Sequence, residues 1–385
     1  MTGQPKKFPT YLLNQPIANK IAYFEDYRVN HPKLKEVEDL VMRSIRKPDG
    51  ALLLFVYGAT GVGKTTLRLK IEQQLIEEAL PKLEKDLGKF PVIGVEAVAS
   101  ESGNFNWKDY FTRALIALEE PLIEYKIDIN YDIPGIRRNS EGELSIKRST
   151  PVAQLRRALE KALFHRHPDI FFVDEAQHLS KMSSGQKLQN QLDCLKSLAN
   201  MSGVVHGLFG TYELLIFRNL SAQLSRRSID IHFPRYKANN AQDLKAFKSV
   251  LLTFQKHLPL EEEPDLISQW DYFYERSLGC VGILKDWLTR TLRDVLEDEE
   301  TTITQKHLKR RAWSAAQCGR MLQEIEEGER QLEETQEDVY QLRKALGLDL
   351  EAEEVSKTPS KSRKGSRRVG RRKGKRDSIK ALPDA

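Results

Sequence analysis

Residues Gly58-Ala59-Thr60-Gly61-Val62-Gly63-Lys64-Thr65 fit the spacing GxxxxGK[ST]. Glycines at those intervals let successive backbone N–H groups turn toward one anion. The lysine then brings a cation to the outer phosphates, and the hydroxyl beside it is a hard ligand for Mg²⁺. The chemistry this predicts is binding of ATP. Lys64 would lie on the β and γ phosphates, Thr65 on the metal, and Thr66 would continue the cradle. Farther along, the apolar run Ile170-Phe171-Phe172-Val173 ends in Asp174-Glu175. A carboxylate at Asp174 suits Mg²⁺, and Glu175 can orient and deprotonate an attacking water. The pair therefore predicts hydrolysis of ATP to ADP and phosphate.

Other residues are candidates to complete such a site. Thr211 ends an apolar stretch and can hydrogen-bond the water or the γ phosphate; it can equally cap the helix that follows. Arg226 and Arg227 stand near a sheet edge. They read either as solvated surface or as arginine fingers that reach a neighbouring copy's nucleotide. Lys285 lies early in a helix and can reach the phosphates or stay in water. The segment from Tyr27 to Pro32, with His31, is placed to contact adenine.

These residues need elements to hold them. Short apolar runs at 52–57, 91–98, 170–173, 204–209 and 229–233 alternate with helical patterns. That alternation predicts βαβ crossovers and a five-stranded parallel sheet with helices on both faces. His31-Pro32 opens an amphipathic helix after a polar arm. The helix after the lysine is expected to stop before Pro81. Residues 125–149 are polar with Pro-Gly and Glu-Gly turn signals, which predicts an inserted hairpin or loop. A helix from Thr150-Pro151 would use the threonine as its cap. Residues 241–255, 264–277, 282–298 and 304–318 read as a helical bundle, and 321–348 as one long acidic helix. The expected divisions are 1–50 (arm and helix), 51–235 (nucleotide-binding core), 236–318 (helical lid), 319–348 (acidic helix) and 349–385 (disordered basic tail).

The chain has 385 residues and a net charge of +6. Residues 357–385 hold twelve Lys and Arg against two Asp, a net +10, so the rest carries −4. The basic character thus belongs to a tail. Such a tail attracts nucleic acid in a salt-sensitive way without reading sequence. Within the body, Lys147-Arg148-Ser149-Thr150 pairs two cations with a helix start, a suitable phosphate contact for DNA, and residues 100–108 with Lys108 are a second candidate. Three cysteines far apart, with no CxxC, exclude a disulfide framework and fit a reducing cytoplasm. No apolar run is long enough to span a membrane.

The phosphate-loop and Asp-Glu motifs resemble those of AAA+ ATPases. Phe172-Val173-Asp174-Glu175-Ala176-Gln177-His178-Leu179, Phe209-Gly210-Thr211 and Gln223-Leu224-Ser225-Arg226-Arg227 resemble more narrowly the TnsC/TniB/MuB-type regulators of DNA transposition. The resemblance covers about residues 20–315. It implies an ATP-dependent homo-oligomer, a ring or helical filament, closed around double-stranded DNA, with Arg226 completing the neighbour's site. It also implies two protein partners: a transposase (TnsB or TnsA/TnsB) and a TniQ/TnsD-type target selector, the latter open to linkage with a CRISPR effector. The extension after residue 320 exceeds a minimal member, and Lys285 stands where many AAA+ proteins have arginine. Two alternatives stay open: a replication-initiator or clamp-loader-type ATPase, and a scaffold that nucleotide locks without hydrolysis.

Overall fold

A computed structural model describes residues 7–99, 105–120, 123, 136–138, 144–146, 151–180, 186–218 and 227–348. Its strands are β1 (Leu53–Tyr57), β2 (Val92–Glu96), β3 (Ile136–Arg138), β4 (Leu144–Ile146), β5 (Ile170–Asp174), β6 (Val205–Gly210) and β7 (Ser228–His232). Five of them form one parallel sheet in the order β2-β5-β6-β1-β7. β3 and β4 pair antiparallel within the insertion expected to form a hairpin or loop. Strands β1 and β5 are buried along their whole length. Phe55, Tyr57, Phe171 and Val173 point into one apolar cluster, and Leu54, Val56, Ile170 and Phe172 into another. A parallel sheet covered on both faces requires such unbroken apolar strands.

Two helices precede the sheet, α1 (Ile17–Asp26) and α2 (Pro32–Arg46), and the helices between its strands are α3 (Lys64–Leu83), α4 (Trp107–Ala117), α5 (Val152–Arg166), α6 (Gln186–Ser202) and α7 (Leu215–Arg218). Because the strands are parallel, their C-terminal ends share one edge, where ligands of open α/β sheets bind. The register puts Tyr57 beside Gly210 and His232. The phosphate loop, Asp174-Glu175 and Thr211 therefore emerge side by side.

After β7 come α8 (Ala241–His257), α9 (Trp270–Ser277), α10 (Val281–Glu297) and α11 (Gln305–Arg311). They enclose a third apolar cluster around the fully buried Trp287, whose indole N–H donates to the Leu308 carbonyl at 3.1 Å. Asn240 caps α8 by accepting from the Gln242 and Asp243 amides at 2.9 and 3.1 Å. Asn240→Ala should cost about 1 kcal/mol of stability, read by urea unfolding, because two first-turn donors lose their acceptor.

Several boundaries differ from expectation. Helix α3 continues through Pro81 to Leu83. A proline so near the end forfeits one hydrogen bond at the last turn and leaves the earlier ones intact. Helix α5 takes Pro151 itself as its cap residue, one place later than expected. The segment read as one helix at 304–318 is broken before Ser314, and the acidic stretch is two helices, α12 (Ala315–Arg330) and α13 (Gln336–Ala345). Capping boxes start each: Ser314 with Gln317, and Thr335 with Asp338. Each box satisfies first-turn amides and so makes a new helix start more favourable than a continuous one. The N-terminal arm holds α1, whose Phe24 is fully buried in the bundle's cluster. The chain divides into two compact units, residues 1–332 and 333–385. In the second, α13 buries no side chain, and the basic tail from residue 349 lies outside the described residues. No helix among the described residues is long and apolar enough to cross a membrane.

Candidate functional site

The turn between β1 and α3 is a backbone cradle. Gly61 and Gly63 adopt φ of +73° and +115°, which L side chains rarely tolerate, and α3 starts directly behind them. Gly58 has no room for a Cβ, which would lie 2.3 Å from the Phe233 carbonyl oxygen. The amide N–H of Gly282, in the first turn of α10, donates to the Gly61 carbonyl at 2.7 Å. The bundle is thus fastened to the crest of the loop.

Lys64 is buried, 7% exposed, and its Nζ donates to the carbonyls of Gly58 and Ala59 at 3.0 and 2.9 Å. Burial draws its pKa down to about 8, opposed by the Glu175 carboxylate. Lys64 lines a cavity of about 1210 Å³ together with Ala59, Thr60, Gly61, Gly63, Thr65, Thr66, Glu175 and Thr211. The sequence-nominated residues of three separate segments therefore meet at one opening.

Glu175 follows β5 in the left-handed region, φ +49°. Such a conformation costs a non-glycine residue about 1–3 kcal/mol, and strain of this kind concentrates at functional sites. The Thr211 hydroxyl is buried without a hydrogen-bond partner, although Thr211 is the cap residue of the 3₁₀ turn Tyr212–Leu214. Its oxygen is not spent on capping. A buried orphan hydroxyl facing a cavity fits a ligand that would satisfy it.

Two residues that the sequence reading passed over complete the site. Gln177 is buried; its amide nitrogen donates to Glu175 Oε2, and its carbonyl oxygen accepts from the Thr211 amide at 3.2 Å. It ties the carboxylate after β5 to the tip of β6. Arg68, one turn into α3, donates to Asp174 Oδ2 at 3.1 Å and also pairs with Glu72. Asp174 Oδ1 accepts the Glu175 amide at 3.0 Å. The hydroxyl of Thr65 and the carboxylate of Asp174 are hard oxygen donors, the set that suits Mg²⁺. A cation there competes with the Arg68 guanidinium.

Other candidates fall elsewhere. Lys285 does not face the cavity: its Nζ donates to the Glu25 carbonyl at 2.6 Å, and burial draws its pKa to about 8. Its neighbour Asp286 lines the cavity instead. His31 is a buried cap of α2, its Nδ1 accepting from the Leu34 amide at 3.3 Å and lying 2.9 Å from the Tyr236 hydroxyl. Burial holds its pKa near 4. Tyr27 stacks on His257, ring centroids 3.8 Å apart. Neither lines the cavity. Arg227 is exposed just before β7, its carbonyl accepting from Leu52. The five residues of β1, about 17 Å at 3.3–3.4 Å each, separate that level from the phosphate loop. Lys108 is exposed in the first turn of α4. Arg226, residues 100–104 and Lys147, Arg148, Ser149 and Thr150 lie outside the described residues.

Residues 46–216 match the family model of an AAA domain. No curated protein matches the chain. Among solved structures, it is similar to the Aeropyrum pernix ORC2 protein in ADPNP and ADP complexes (16% identity, 75% of this chain and 70% of that one, TM-score 0.48). It is also similar to the Aeropyrum pernix ORC1 protein in complex with DNA (17%, 76% and 68%, 0.49) and to Drosophila ORC bound to DNA (12%, 80% and 67%, 0.43). The fold is the α/β P-loop fold of AAA+ proteins, with its five-stranded parallel sheet.

Proposed function

We propose that this chain is a Mg²⁺-dependent ATPase that assembles on double-stranded DNA and links a TniQ/TnsD-type target selector to a transposase, with hydrolysis controlling assembly and release. The observation that carries the ATPase reading is the meeting of Lys64, Glu175 and the unsatisfied Thr211 hydroxyl at one cavity. The transposition reading rests on the DEAQHL and QLSRR strings described above.

In this reading Lys64 exchanges its two loop carbonyls for phosphate oxygens. Thr65 and Asp174 would hold Mg²⁺, which would supply charge neutralisation at the phosphates. Glu175 takes a proton from the attacking water, and Thr211 holds that water or the γ phosphate. Arg226 and Arg227 act on a neighbour's nucleotide; the position of Arg227 a full strand length from its own phosphate loop suits action between chains rather than within one. Lys108, residues 147–150 and the tail would contact DNA phosphates without reading bases.

Gln177 keeps Glu175 aimed. Gln177→Leu removes a hydrogen bond to a charged group, worth about 1.5–3 kcal/mol, so kcat should fall about 10- to 100-fold. The KM for ATP should move less than about threefold, as steady-state kinetics will show. The whole proposal is tested by imaging the protein with duplex DNA and a non-hydrolysable ATP analogue, against ADP. Rings or filaments are expected with the analogue. Material that stays monomeric with both ligands saturating contradicts the proposal.

A further inference from the structure

We infer that α12 is a movable wall of the nucleotide cleft, which a bound triphosphate displaces; the inference rests on the nucleotide-site reading above. Helix α12 crosses the cavity from the bundle to the tip of β6. Met321, Glu324, Glu327, Gly328 and Gln331 line the same opening as Gly61, Lys64, Glu175 and Thr211. Beneath it, Ile325 and Cys318 are buried in the cluster that holds Ala59 and Val62 of the phosphate loop and Ile283 of α10. The helix is therefore seated on the loop itself.

Charge disfavours a triphosphate while α12 keeps this seat. Among the described residues the lining has one cation, Lys64, against the acids Glu175, Glu213, Asp286, Glu324 and Glu327. Glu213, Asp286, Glu324 and Glu327 are exposed, and Glu327 also pairs with Arg330 at 2.6 Å, so their repulsion of a triphosphate is screened by solvent and grows as salt falls. Two of those five acids belong to α12, so its departure relieves part of the repulsion and widens the cleft.

Two contacts act as the latch. Glu329, nearly buried, pairs with Arg235 at 3.1 Å and Lys237 at 3.2 Å. Gly328 packs flat on Tyr212, where a Cβ would lie 2.1 Å from the ring. Tyr212 follows Thr211 directly, and its hydroxyl lies 2.9 Å from His232 Nε2, which fixes the ring. A shift of Thr211 toward a phosphate thus moves the surface on which α12 rests. The bound and docked states are alternatives, and the apparent affinity is reduced by the fraction of molecules with α12 docked.

The test uses the full chain, a fluorescent ATP analogue with Mg²⁺, and hydrogen exchange over residues 315–330. In the parent protein, saturating analogue should remove protection from α12. Gly328→Val should lack that protection without nucleotide and bind the analogue about tenfold tighter. Glu324→Gln with Glu327→Gln, both on exposed positions, keeps the helix docked and should raise affinity several-fold at low salt; it serves if the valine variant does not fold. Protection that persists at saturation overturns the inference. So does an undocked Gly328→Val with unchanged affinity, or a double glutamine variant with unchanged affinity. If no form binds the analogue, the nucleotide-site reading itself is wrong and the inference falls with it.

Discussion

Glu175→Gln is expected to reduce ATP hydrolysis about 10²- to 10⁴-fold, the usual worth of a positioned general base. Glutamine keeps the shape and can still meet the Gln177 amide, but it cannot take a proton. Nucleotide affinity should hold or rise modestly, since the cradle is built by residues 58–65 and one of the five acids lining the cavity is neutralised. Assemblies on DNA should then persist instead of turning over. Phosphate release and nucleotide binding, measured on the same preparation, separate the two effects. A variant that hydrolyses at the parent rate would remove Glu175 from the mechanism.

Lys64→Ala is expected to weaken triphosphate binding about 10- to 100-fold, corresponding to about 1.5–3 kcal/mol for hydrogen bonds to a charged group. Hydrolysis and nucleotide-driven assembly should fall with it. Lys64→Met is the stricter comparison. It keeps most of the side-chain length in a buried slot and removes only the charge and its donors, and it should lose a similar factor. Isothermal titration with a non-hydrolysable analogue reads both. Unaltered affinity in the methionine variant would mean that the loop holds something other than phosphate.

The cradle and the Asp174-Glu175 pair were legible in sequence because each is a contiguous motif whose spacing carries the chemistry. The sheet was legible too, since strands buried on both faces show as unbroken apolar runs. What escaped was whatever depends on distant segments meeting. Gln177 matters through Thr211, 34 positions away, and Arg68 through Asp174, 106 away. Lys285 failed for a different reason. Neighbouring residues on a helix point about 100° apart, so the choice of Asp286 over Lys285 as the cavity-facing residue is set by how α10 rotates against α1. The break before α12 was readable in Ser314…Gln317, and that between α12 and α13 in Thr335…Asp338. The unbroken acidic, helix-forming composition of residues 321–348 masked the second of those caps.

Phe24 has a practical consequence. It is fully buried and meets Phe254 edge-on, centroids 5.9 Å apart, while Glu25 holds Lys285 through its carbonyl and Arg293 through its carboxylate at 3.1 Å. A shortened protein that begins at the phosphate-loop strand would leave a phenyl-sized hole in the neighbouring bundle and strip two cations of their anchor. Trimming the amino terminus to aid crystallisation or tagging would therefore trade a tidy end for a leaky hydrophobic interior.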